Sequence, residues 1–69
     1  MPTYKYVWSV WKFILANKCA MRIEIKKYLM KEFGLTMDQA EDAASSSLRA
    51  LRRRGMIKRI GYGMYCVNE

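Results

Sequence analysis

Six basic residues, Arg49, Arg52, Arg53, Arg54, Lys58 and Arg59, fall in the short stretch 49–59, and no acid stands among them. Guanidinium groups grip phosphate and carboxylate oxygens through paired N–H donors, so the chemistry this cluster suits is capture of a polyanion rather than bond making. Ser45 and Ser46 lie about one helical turn before Arg49 and add hydroxyls able to meet a base edge or a phosphate. Tyr62, between Gly61 and Gly63, adds a side chain with a polar tip just beyond this segment. Other reactive groups are scarce. The chain has no histidine, and its two cysteines, Cys19 and Cys66, stand far apart in sequence without companion ligands. A zinc site, a Ser/His/Asp triad and a Cys/His pair are thereby excluded within this chain, and no spacing sets a nucleophile beside a base. The expectation is a protein that is not an enzyme and needs no metal or cofactor.

Composition points the same way. Thirteen Lys and Arg against six Asp and Glu leave +7 on 69 residues. A surplus this large on a small surface attracts polyanions, with nucleic acid foremost. The composition is 52% hydrophobic with a single proline, which is too apolar for a disordered tail. The length is that of one domain, residues 1–69, which buries only about 60% of the surface its unfolded chain exposes. Lys12 and Lys18 interrupt the most apolar run, residues 7–20, so no segment reaches the length of a spanning helix. A membrane-surface role would need a strongly basic amphipathic helix, and the first helix offers only Lys5, Lys12 and Lys18. The opening Met-Pro-Thr-Tyr-Lys lacks the shape of a signal peptide, so a cytoplasmic site is expected, in the nucleoid or in a host cell's cytoplasm. Thiols there stay reduced in most organisms, hyperthermophiles excepted.

The elements that must position the basic cluster can be read from spacing. Residues 5–17 predict a first helix within a segment 1–18, with Val7, Trp11, Ile14 and Leu15, and Trp8 beside them, facing the core. Tyr6, Val10 and Phe13 form a second apolar line. Either the small domain wraps this line or it is a contact with a second copy, and a homodimer is expected from it. Residues 19–22 suit a short connecting strand. Ile25, Tyr28, Leu29 and Phe33 then mark a second helix that stops at Gly34, with Lys26, Lys27 and Lys31 pointing elsewhere and a start at Arg22 that is poorly signalled.

Thr36 and Gln39 have the form of a capping box opening a third helix, residues 37–54, with Met37, Ala40, Ala44, Leu48 and Leu51 on its inner face. A start nearer Glu41 stays open, because Ser45, Ser46 and Ser47 are mediocre helix formers. Asp38, Glu41 and Asp42 at one end and arginines at the other match the helix dipole, and Gly55 closes the helix. On the outer face the helical wheel groups Asp42, Ser45, Ser46, Arg49 and Arg53, with Arg52 on one flank. Residues 56–67 predict a hairpin turning at residues 61–63. The fold class expected is α+β, mostly α, with three helices and a C-terminal β-hairpin.

Glu24-Ile25 and Leu29, the run Ser47-Leu48-Arg49-Ala50-Leu51-Arg52-Arg53-Arg54-Gly55-Met56-Ile57-Lys58-Arg59, and Gly61-Tyr62-Gly63-Met64-Tyr65 resemble the winged helix-turn-helix family across residues 20–67. The resemblance implies that residues 37–54 are a recognition helix for the DNA major groove and residues 56–67 a wing. Arg49 would read a base, Ser45 and Ser46 would meet bases or phosphates, and Arg52, Arg53, Lys58 and Arg59 would hold phosphates. Tyr62 would touch the minor groove or backbone from a short wing. The function implied is binding of double-stranded DNA, sequence-specific or general, by a small transcriptional regulator of the compact kind found in archaea, plasmids, phages and viruses. A dimer would then bind two half-sites.

The alternative is a winged domain that binds protein, such as a small inhibitor of a nucleic-acid-binding enzyme, because three carboxylates at the helix start repel phosphates. The family's strand pairing would also bring Cys19 beside Cys66, either as two free thiols or as a disulfide.

Overall fold

The computed structural model describes residues 6–68. Lys5 and the expected start of the first helix lie outside the described residues. The chain runs α1 (Val7–Asn17), β1 (Cys19–Met21), α2 (Arg22–Phe33), α3 (Met37–Arg53), β2 (Ile57–Gly61) and β3 (Met64–Val67). The strands form one antiparallel sheet in the order β1-β3-β2. This is the expected α+β architecture, three helices followed by a hairpin.

Local chemistry fixes the boundaries. At the start of α3, Thr36 Oγ1 accepts from the Gln39 N–H and Gln39 Oε1 accepts from the Thr36 N–H, so the capping box is complete and the later start near Glu41 is ruled out. At its end the Gly55 N–H donates to the Arg52 carbonyl and the Met56 N–H to the Leu51 carbonyl. That pair of bonds is a Schellman stop, and it requires the left-handed φ of +72° that Gly55 adopts. Gly34 ends α2 in the left-handed conformation. The start of α2, weak in the sequence, is secured by Glu24, whose carboxylate accepts from the Met21 N–H. The hairpin turns on Tyr62-Gly63, with Gly63 at φ +73°. Its register shifts between Arg59 and Gly61, which leaves Ile60 as an extra, exposed residue on β2.

The core lies where α1 and α2 pack on α3. Val7, Val10 and Ile14 from α1, Ile25 and Leu29 from α2, and Leu48 and Leu51 from α3 are buried, and Ile57 and Tyr65 close it from the sheet side. α3 contributes small residues, Ala40, Ala43, Ala44, Ser47 and Ala50, so its neighbours approach closely while supplying the larger side chains.

Several expectations about faces are corrected. Val10, expected in a dimer contact with Tyr6 and Phe13, is fully buried in the domain's own core. Phe13 stacks on Tyr28 at 4.6 Å between ring centroids, and Tyr6 meets Phe33 edge-on at 5.0 Å. The line that suggested a second copy is therefore largely used in packing α1 against its own core and α2. Trp8 and Leu15, expected inside, are exposed. The reason is that α1 is apolar on nearly every side, so periodicity alone does not select the buried face. Met37, at the first turn of α3, projects beyond the edge of the core, and Phe33 is also partly exposed.

β1 pairs with β3 in a register that sets Cys19 opposite Cys66. The two are joined in a disulfide, with Cα atoms 3.9 Å apart. Of the two states left open by the sequence, free thiols and a bond, the structure has the bond.

Candidate nucleic-acid interface

The amphipathic period of α3 divides its residues cleanly. Ala40, Ala44, Leu48 and Leu51 turn inward, while Asp42, Arg49, Arg52 and Arg53 are exposed and Ser45 and Ser46 are half-buried at the edge. The outer face foreseen from the helical wheel is therefore the solvent-facing one. It begins with a carboxylate and ends with guanidinium groups.

The first turn of α2 packs across this helix and changes its electrostatics. Glu41 accepts from Arg22 at 2.8 Å and from Lys26 at 2.6 Å. The Glu41 carboxyl is held below the usual carboxylate range, first by the hydrogen bond from Lys26 and then by that from Arg22. Arg22 is raised above its ordinary value, chiefly by the bond to Glu41. One of the three acids at the start of α3 is thus neutralised within the domain. Asp38 and Asp42 remain exposed. Arg22 also donates to Ser45 Oγ, so Ser45 is engaged by a neighbouring side chain rather than standing alone toward solvent. The backbone N–H of Arg22 donates to the Gly63 carbonyl at 2.8 Å, which ties α2, α3 and the hairpin turn together at one point.

The basic residues fall into separate groups. Arg49 and Arg52, one helical turn apart, line a cleft of about 280 Å³ with Arg22, Ser45, Leu48 and Tyr65. Arg53 is exposed further round the same helix. Arg54 is drawn away, its guanidinium 5.3 Å from the Trp8 ring on α1. Lys58 and Arg59 are exposed on β2, where consecutive side chains leave opposite faces of the strand. Arg59 turns to the hairpin tip, donating to the Gly61 carbonyl and lying 5.9 Å from the Tyr62 ring. Tyr62 is 96% exposed.

Beside the tip, Met21, Ile23, Tyr62 and Gly63 line a largely apolar groove of about 250 Å³ flanked by Arg22 and Lys26. The sequence reading missed Arg22 as part of the site. Its only signal was a basic residue at an unfavourable helix start, and its role depends on how α2 crosses α3.

Among the described residues no group of three or more His, Cys, Asp or Glu could hold a metal ion, and no helix is long and apolar enough to cross a membrane. Compared with known protein families, with curated proteins and with solved structures, the chain matches none.

Proposed function

We propose that this chain is a winged helix-turn-helix domain that binds double-stranded DNA with the outer face of α3 in the major groove, and that it acts as a small transcriptional regulator. The observation that supports the reading best is the exposed basic face itself. Arg49, Arg52 and Arg53 project from the C-terminal half of a helix whose opposite side is core, Lys58 and Arg59 add two further exposed cations on β2, and Glu41 is already paired. An α-helix fits the major groove, and a guanidinium there donates two bonds to guanine. Arg49 is the base reader in this reading, with Ser46 beside it. Arg52, Arg53 and Lys58 hold phosphates, and Tyr62 with Arg59 meets the backbone from the hairpin tip. With Asp38 and Asp42 exposed at the start of α3, the helix docks by its middle and C-terminal half. The reading is for a single copy, since the residues expected to join two copies are engaged within one.

The test is an anisotropy titration of labelled duplex DNA with wild type and an Arg49→Ala/Arg53→Ala variant. Both side chains are exposed, so the variant keeps its fold by circular dichroism. Its binding weakens, and the slope of log K against log salt becomes shallower by about 1, since Arg53 is the phosphate contact of the pair while Arg49 meets a base. Unchanged affinity removes α3 as the reading element.

A second reading, a protein-binding winged domain, is favoured by the apolar groove of Met21, Ile23 and Tyr62 at the hairpin tip. It predicts loss of partner binding on Tyr62→Ser with no duplex binding at low salt.

A further inference from the structure

The cleft between the first turn of α2, the middle of α3 and β3 has the properties of a built oxyanion site. Arg22, Arg49 and Arg52 come to it from two helices, Ser45 lies between them, and the Tyr65 side chain forms the wall on the sheet side. Within this neighbourhood Arg22, Lys26, Arg49 and Arg52 outnumber the carboxylates, which are Glu41, engaged by two of them, and Asp42, exposed one helical turn before Ser45 and Ser46. Arg22 is fixed in place, since its Nη2 donates to both Glu41 and Ser45. A guanidinium carries five N–H donors in a rigid plane, so the bonds through Nη2, together with the interaction with the Tyr65 side chain, orient Arg22 and still leave it donors for a ligand. Ser45, by accepting from Arg22, keeps its own hydroxyl proton to donate. The cleft is thus rich in donors, and the ligand that matches it is an acceptor-only anion with several oxygens.

We propose that this cleft binds one phosphate group, with Arg22, Arg49 and Arg52 as its charged donors and Ser45 as a hydroxyl donor. The inference rests on the DNA-binding reading for the owner of that phosphate, a backbone phosphodiester, and it moves Arg49 from a base edge to this phosphate. The same chemistry would also accept free inorganic phosphate. Arg22 is a positioning and binding residue here, anchored by Glu41, and it adds the α2–α3 junction to the contact surface of α3 and the hairpin.

The experiment follows the arginine Nε–H resonances of the full chain by NMR while inorganic phosphate is added at constant ionic strength. Acetate and chloride are titrated in parallel. Saturable shifts of Arg22, Arg49 and Arg52 with phosphate, and their loss in Arg52→Gln, support the site. Overturning results are shifts that stay linear, shifts spread over all arginines, or equal saturation by acetate. Duplex DNA is the second probe. If it shifts the same three resonances and Arg52→Gln makes the salt slope shallower by about 1, the phosphate belongs to the backbone. If phosphate saturates the cleft while duplex DNA leaves these resonances unmoved, the site stands as one for free phosphate and the DNA reading falls. DNA binding with no phosphate response in the three arginines overturns the cleft and leaves the DNA reading intact.

Discussion

Ser47 sits in the middle of α3 with its side chain fully buried, and its Oγ has no hydrogen-bond partner. A buried hydroxyl without a partner costs about 1–3 kcal/mol relative to one left in water, and serine is a poorer helix former than alanine. Ser47→Ala is therefore expected to leave the fold unchanged and to raise stability by about 1 kcal/mol in urea denaturation. A loss of stability would reveal that the hydroxyl has a partner in solution. At this scale the sequence was legible only in part. Three consecutive serines look alike on paper, yet on a helix each step turns about 100°, so Ser45 meets Arg22, Ser46 edges toward solvent and Ser47 enters the core. The exposed arginines were legible because their helix has an unambiguous inner face. Arg22 was not, because its importance comes from an element distant in sequence.

Among the elements, α3 and the hairpin carried the clearest local signals. Thr36 and Gln39 fixed one end of α3 and Gly55 the other, and the change from helical spacing to a glycine-flanked turn marked β2 and β3. α1 was the opposite case. With tryptophan, phenylalanine and aliphatic residues on almost every side, its sequence fits several rotations, and only packing against α3 and α2 selects Val7, Val10 and Ile14 as the buried line. The pairing of β1 with β3 is a long-range contact for which the spacing of residues holds no signal. It is there that the disulfide acts, joining residues separated by 47 positions. Closing a loop of that size restricts the unfolded chain and contributes about 4 kcal/mol in the chain-entropy model, a large share of the stability of a small domain. Urea denaturation of the oxidised protein and of a Cys19→Ser/Cys66→Ser variant should differ by an amount of that order, the oxidised form being the more stable. Equal midpoints and slopes would show that the bond adds nothing to the native fold.

The whole molecule carries +7, and its distribution matters more than its sum. Arg54 is spent against Trp8 and Lys26 against Glu41, while the outer face of α3, the α2–α3 cleft and β2 keep their cations toward solvent. Binding by such a surface releases counterions from DNA, and the salt dependence reports how many phosphates are met. The most direct measurement is the affinity of the wild-type chain for random duplex DNA across a range of salt concentrations. With about five phosphates neutralised, log K should fall against log salt with a slope near −4.5, a loss of about 500-fold between 50 and 200 mM. Absence of binding at the lowest salt, or an affinity that salt leaves unchanged, would contradict the assignment of this face to nucleic acid.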